Sequence, residues 1–288
     1  MSKNNKSKQG ASAHHGGAMP VTPLPFLDLK VHAEIDFQMR LAMDGVESSA
    51  VIGEKGTGKT EAIRAIADRI EREEILNPSG EGGAVRHIFR FLSSDATGAK
   101  TLLIDLYYAM TRTKLAGGAA RSTTPHDLAE LIARHCAEGT IHLIVVDEAQ
   151  KANRHNLDHL REVPDRARRE HGHPMGLLLV GTPGLRRTLA ASGELGQRIA
   201  TVVTMPLLER GFIGESLDTL EPGLGTLRDD LGKKAWAPLE ELLVRKVDGK
   251  IRRLTTIVAN AGVLARRLGR PIDAVILRTA IDKLSPEV

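Results

Sequence analysis

The hydrophobic pattern gives the chain two rhythms. Up to about residue 207, short and nearly continuous apolar runs alternate with segments whose apolar residues recur every three or four positions, and beyond it only the longer period persists. Ser48–Ile52 (SSAVI), Val85–Leu92 (VRHIFRFL), Ile141–Val146 (IHLIVV), Gly176–Val180 (GLLLV) and Thr201–Met205 (TVVTM) read as five strands. Runs this uniformly apolar suit parallel strands covered on both faces. Between them the helical period predicts helices at Leu29–Met43, at Glu61–Ile75 with Ile63, Ile66 and Ile70 in phase, at Ala99–Thr111 and at Asn156–His171. Another opens at Thr124 and Pro125, an N-cap and first-turn pair, and runs through His135. Asn77–Gly83 (NPSGEGG) is a turn, and helical patterns dominate from Ala235 to Leu284. The alternation predicts an α/β fold with a five-stranded parallel sheet over residues 29–207, and a small all-helical lid domain over 208–288. Residues 1–28, polar and Gly-rich, read as a flexible basic arm in which His14 and His15 carry no separate signal.

Composition narrows the classes. The 288 residues are 41% hydrophobic, enough for a real core, but only 3% aromatic, which weighs against base stacking on single-stranded nucleic acid. The lone Cys136 forbids an internal disulfide and a Cys-based zinc site. No apolar run has membrane-spanning length and the first residues lack a signal-peptide core, so the expected setting is cytoplasmic, with no membrane partner. Net charge is only +4 but unevenly spread. Lys3, Lys6 and Lys8 sit in an acid-free start, and ten Lys/Arg meet three Asp between Arg245 and Lys283. That distribution suits a polyanion, although basic runs are also plain solvated faces.

The chemistry begins at Gly53, Glu54, Lys55, Gly56, Thr57, Gly58, Lys59 and Thr60. GEKGTGKT is a full match to the phosphate-cradling pattern G-x-x-x-x-G-K-[ST], placed between a predicted strand and a predicted helix. Its backbone N–H groups would hold the phosphates of ATP, Lys59 would reach the β/γ-phosphates, and Thr60 would offer its hydroxyl to Mg²⁺, with Glu61 next in the nucleotide-binding set. The third strand ends in Asp147 and Glu148, 88 positions after Lys59. Asp147 would complete the Mg²⁺ site and Glu148 would polarise the attacking water; the competing reading is a helix-capping pair. Thr182, at the tip of the fourth strand, would sense the γ-phosphate or simply cap the helix opening at Pro183. Arg198, before the fifth strand, would reach a nucleotide on a neighbouring subunit, unless it is only a surface salt bridge. In GKIRRL (249–254) one of Arg252 and Arg253 would fold onto the phosphates, since consecutive helical residues diverge by about 100°, unless both are simply solvated; Arg253 is placed in the nucleotide set with Arg252 as the alternative.

GEKGTGKT, VVDEAQ, LLVGTPGL, GQRI and then GKIRRL, in this order, resemble an AAA+ ATPase, and more narrowly the DNA-transposition regulators of the MuB, TnsC and TniB group. The resemblance covers Leu29–Leu284, with LIVVDEAQKANRHNLDHLREV and MGLLLVGTPGLRRTLAASGELGQRIATVV its most telling stretches. It implies ATP-dependent self-assembly into a hexameric ring or helical filament on duplex DNA, without sequence preference. It further implies recruitment of a transposase, a possible target-selection adaptor, and disassembly after hydrolysis. Two DNA loops are implied, one using Lys100 with Thr97 and Thr101, the other Arg121, Ser122 and Thr123. Lysine and hydroxyls offered to phosphates fit backbone-dominated binding, though Lys100 equally reads as an exposed first-turn lysine. Departures are Gln150, where many of the group have Asp, and the lack of a helix-turn-helix extension or long C-terminal tail. A replication-initiator, clamp-loader or secretion-type AAA+ ATPase, and a nucleotide-gated scaffold with little turnover, remain alternatives. A two-core helicase is disfavoured because only 81 residues follow position 207, and a GTPase because no N-K-x-D segment follows the loop.

Overall fold

The five apolar runs form one parallel sheet. In the computed structural model, which describes residues 24–93, 98–115 and 122–284, the strands are β1 (Ser48–Ile52), β2 (His87–Leu92), β3 (Ile141–Asp147), β4 (Gly176–Gly181) and β5 (Ile199–Thr204). Their order is β2-β3-β4-β1-β5, every pair parallel. Parallel neighbours need crossover connections, which carry helices onto both faces. Side chains therefore sort by parity along each strand. Ile144, Val146, Leu177 and Leu179 join one core with α3 (Ala99–Thr111), α4 (Pro125–Glu138) and α5 (Arg154–His171). Leu143, Val145, Leu178 and Val180 join the opposite core with α1 (Lys30–Met43) and α2 (Lys59–Leu76). β4 is buried at every position, whereas β2, at one edge, is buried only at Ile88 and Phe91.

After α6 (Pro183–Ala191), the single turn α7 (Leu195–Arg198) and β5, the chain is helical: α8 (Arg210–Leu220), α9 (Pro222–Val247), α10 (Ile251–Leu268) and α11 (Ala274–Asp282). These helices bury a separate core around Leu217, Leu243, Leu254, Ile257 and Leu277. Helix begins well before Ala235, because Gly211, Gly214, Gly223 and Gly225 dilute the apolar period without stopping the chain from coiling. Only Gly232 leaves helical geometry, at φ 66° and ψ 164°, and it breaks α9. Two strand starts also move by two residues. β2 starts at His87, where pairing with Ile141 of β3 begins; Arg86 N–H points instead to Glu74 Oε2 at 3.5 Å, and the Arg86 guanidinium pairs with Glu74 and Asp44. β5 starts two residues before the expected Thr201.

Of residues 24–28, assigned by composition to the arm, Leu27 and Leu24 are packed, whereas Pro25, Phe26 and Asp28 are exposed. Leu27 is buried in the helical core, with Leu24 and Leu29 against it. Lys3, Lys6, Lys8, His14 and His15 lie outside the described residues. No helix among the described residues is long and apolar enough to cross a membrane.

Candidate nucleotide site

The GEKGTGKT segment leaves the carboxyl end of β1 and turns into α2. Gly53 N–H donates to Gly181 O at 3.1 Å, which ties the loop's start to the tip of β4. Gly56 and Gly58 both have φ 88°, a left-handed conformation that residues with a Cβ rarely adopt, and this lets the loop curl over the helix start. Thr57, fully buried, donates from Oγ1 to Glu54 O at 2.9 Å and braces the curl from inside. The result is a helix N-terminus under an arch of backbone, the geometry that attracts phosphate.

Lys59 points back beneath the arch. Its Nζ donates to Gly53 O at 2.7 Å and Glu54 O at 2.8 Å. Burial pushes this ammonium below the usual lysine range, Asp147, Glu148 and Glu54 pull it back up, and Arg252 adds to the depression. A cation so placed gains from an anionic ligand, because the ligand replaces hydration that burial removed. Beside it, Thr60 Oγ1 donates to Asp147 Oδ2 at 2.7 Å, so the two expected metal ligands already meet at the end of β3. A hydroxyl and a carboxylate are hard oxygen donors of the kind Mg²⁺ takes.

Glu148 follows with φ 54°, uncommon for a residue with a side chain and costing about 1 kcal/mol. This bend lets the Glu148 side chain line the cavity, and Glu148 N–H donates to Asp147 Oδ1 at 2.8 Å. Thr182 stands at the N-terminus of α6 but makes no side-chain cap, and it too lines the cavity. The cavity encloses about 950 Å³. The phosphate arch and these polar groups line part of it, Leu24, Pro25, Phe26, Leu27, Leu220 and Ile251 give it an apolar wall, and the charged Arg64, Asp68 and Arg72 also line it. A polar end and an apolar slot fit a nucleotide's phosphates and base. The helical region closes directly on the arch: Arg252 N–H donates to Gly56 O at 3.0 Å, and Ile251 lies 3.6 Å from where a Gly58 Cβ would stand.

A sequence model of the AAA domain matches residues 44–189, just over half the chain. The chain belongs to the AAA domain family. Its fold is the AAA+ P-loop fold, and the family's chemistry is that of nucleotide-hydrolysing ATPases. Among solved structures, the Aeropyrum pernix ORC2 protein in ADPNP–ADP complexes is similar, with a TM-score of 0.66 at 18% identity over 92% of this chain and 70% of that one. Cdc6p from Pyrobaculum aerophilum gives 0.66 at 13% identity over 89% and 67%, and the Aeropyrum pernix ORC1 protein in complex with DNA gives 0.59 at 18% over 88% and 64%. At these identities the likeness is one of fold. No curated protein matches the sequence at a significant level.

Of the nucleotide set expected in this AAA domain, Lys55, Gly56, Gly58, Lys59, Thr60, Glu61, Glu148 and Thr182 line the cavity. Gly53, Glu54, Thr57 and Asp147 do not line it but hold the residues that do through the contacts given above. The structure departs from the expected choice in α10: Arg252 lines the cavity and Arg253 does not. Arg253 instead keeps its Nε buried without a hydrogen-bond partner. Arg198 is away from its own chain's cavity, 59% exposed, with Nη2 3.7 Å from Asp165 Oδ2. Of the expected DNA set, Thr97 and Arg121 lie outside the described residues. Lys100 and Thr101 stand in the first turn of α3, and Ser122 and Thr123 just before α4, with Thr101 and Ser122 exposed. Sequence reasoning missed the apolar wall. Its one available signal was the apolar PLPFL (24–27 within it) closing an otherwise polar arm, a pattern whose partner, Leu220, is nearly 200 positions away.

Proposed function

We propose that the chain hydrolyses ATP, assembles on duplex DNA when ATP is bound, and regulates DNA transposition by recruiting a transposase. The convergence of Lys59, the Thr60–Asp147 pair and Glu148 on one cavity carries the ATPase part. In this reading Lys59 binds the β/γ-phosphates and the arch orients them. Mg²⁺ held from Thr60 and Asp147 would offset charge on the phosphate oxygens. Glu148 accepts a proton from the water whose oxygen bonds to Pγ, while the bond from Pγ to the β,γ-bridging oxygen breaks and ADP leaves with that electron pair. Thr182, with its hydroxyl not used for capping, senses the γ-phosphate. Arg198, solvent-facing beside β5, acts on a neighbouring subunit's nucleotide. Lys100, Thr101, Ser122 and Thr123, with Thr97 and Arg121, are the proposed contacts to the DNA backbone, and residues 208–288 are the proposed lid.

The transposition assignment rests on the resemblance of the motif series to MuB, TnsC and TniB. A second reading, a replication-initiator type of AAA+ ATPase, is favoured by the likeness to ORC2, Cdc6p and DNA-bound ORC1. Steady-state phosphate release with and without duplex DNA tests the shared core. Turnover should rise with DNA, vanish in Lys59→Ala, and fall at least ~100-fold in Arg198→Ala, as for the loss of an arginine acting in trans. Turnover unchanged in Lys59→Ala would refute the ATPase reading; unchanged turnover in Arg198→Ala would remove the shared site.

A further inference from the structure

Gln150 sits in the short 3₁₀ turn (Ala149–Lys151) that follows β3, and it also lines the cavity. Its side-chain amide makes two bonds in opposite senses. Nε2 donates to Glu148 Oε2 at 2.8 Å, and Oε1 accepts from Thr182 N–H at 3.1 Å. An amide's two ends look alike by shape, but chemistry fixes this one, since a carboxylate only accepts and a backbone N–H only donates. Turning the amide over would break both bonds at once. The room for it is reserved by the strand tip: a Cβ on Gly181 would stand 2.6 Å from Gln150 Oε1. The cavity's two active strand ends, β3 with Glu148 and β4 with Thr182, are thus joined by one side chain.

We infer that Gln150 is a positioning residue for ATP hydrolysis, fixing the Glu148 carboxylate and coupling it to the β4 tip that carries Thr182. The inference deepens the ATPase reading and rests on it. Holding Oε2 directs proton acceptance to Oε1 and keeps the carboxylate in one orientation. Because the same amide grips Thr182 N–H, a shift of the β4 tip on meeting a γ-phosphate moves the carboxylate with it.

Gln150→Glu separates this role from plain packing. It keeps volume and the acceptor for Thr182 N–H, but turns a carboxylate oxygen toward Glu148. Single-turnover hydrolysis and equilibrium binding of a fluorescent ATP analogue should show kcat reduced ~10-fold or more with nucleotide affinity within about threefold, the split expected when only a transition-state contact is lost. Gln150→Met, of the same length without the amide, should behave alike and serves if the carboxylate variant fails to fold. In a Glu148→Gln background, Gln150→Met should add less than about twofold, because the two residues act as a unit. A kcat within twofold of wild type, or the same fold-loss in both backgrounds, overturns the proposal. Wild-type protein that does not turn over ATP, or turns over unaffected by Glu148→Gln, instead overturns the ATPase reading and with it this role.

Discussion

Lys59 is a cation kept under an arch of carbonyls, with burial weakening its charge and three carboxylates restoring it. Such a residue is poised rather than satisfied, because two neutral carbonyls replace a hydration shell less well than an anion would. Arg252 is a further cation lining the site, and its charge acts on Lys59. The two adjacent arginines of α10 therefore give a discriminating experiment. Arg252→Ala should weaken ATP binding roughly 10-fold, as for a lost charge-assisted contact, with a smaller effect on ADP. Arg253→Ala should leave both affinities within about twofold, measured by titration calorimetry. The reverse pattern would return the role to Arg253. The phosphate loop itself was legible because its chemistry fixes both residue types and spacing. The choice between Arg252 and Arg253 was not, since it depends on the helix's rotation, set by Leu254, Ile257 and Val258 packing into the helical core.

At the scale of elements, apolar runs located all five strands, and the Thr124–Pro125 signature located α4. There Thr124 Oγ1 accepts from Asp127 N–H at 3.2 Å, and Asp127 Oδ2 accepts from Thr124 N–H at 2.8 Å. Strand order was not readable, because which strand lies beside which is decided by crossovers that periodicity does not record. Buried polar groups pin α1, α2 and β3 together, and they make the fold acid-sensitive in two windows. Burial, with His173 and Arg86 adding to it, lowers His142 to about 4 against hydrogen bonds from its imidazole to Met43 O and Pro174 O. Below pH 6.5 the unfolded chain therefore binds a proton that the folded chain refuses, and stability declines as pH falls from about 7 to 4. Glu74 works in a lower range. Burial alone would raise it, but Arg86 and Ser79 hold its carboxylate at about 2, so its contribution is complete above 4.5 and is lost as pH falls toward 2. Thermal melts from pH 7.5 to 4.5 should show a loss on the order of 2–3 kcal/mol in the first window. His142→Gln should flatten it, and an unaltered slope in that variant would show that His142 does not carry the effect.

For the molecule as a whole, the sheet core that holds Met205 and the helical core that holds Leu27, Leu220 and Ile251 both reach the nucleotide cavity. Leu27 reaches from the chain's early part into the helical core, and Arg252 N–H clips the start of α10 to Gly56 of the phosphate arch. A ligand that fills the cavity touches both regions, so its binding energy can select their relative placement. ATP in this account is an assembly signal, and hydrolysis ends the signal. The most direct measurement is negative-stain electron microscopy of the full chain with a slowly hydrolysed ATP analogue, with and without duplex DNA, beside Lys59→Ala. Rings or filaments on DNA that need both ligands and disappear in Lys59→Ala are the predicted result. Particles that remain monomeric with both ligands present would contradict it.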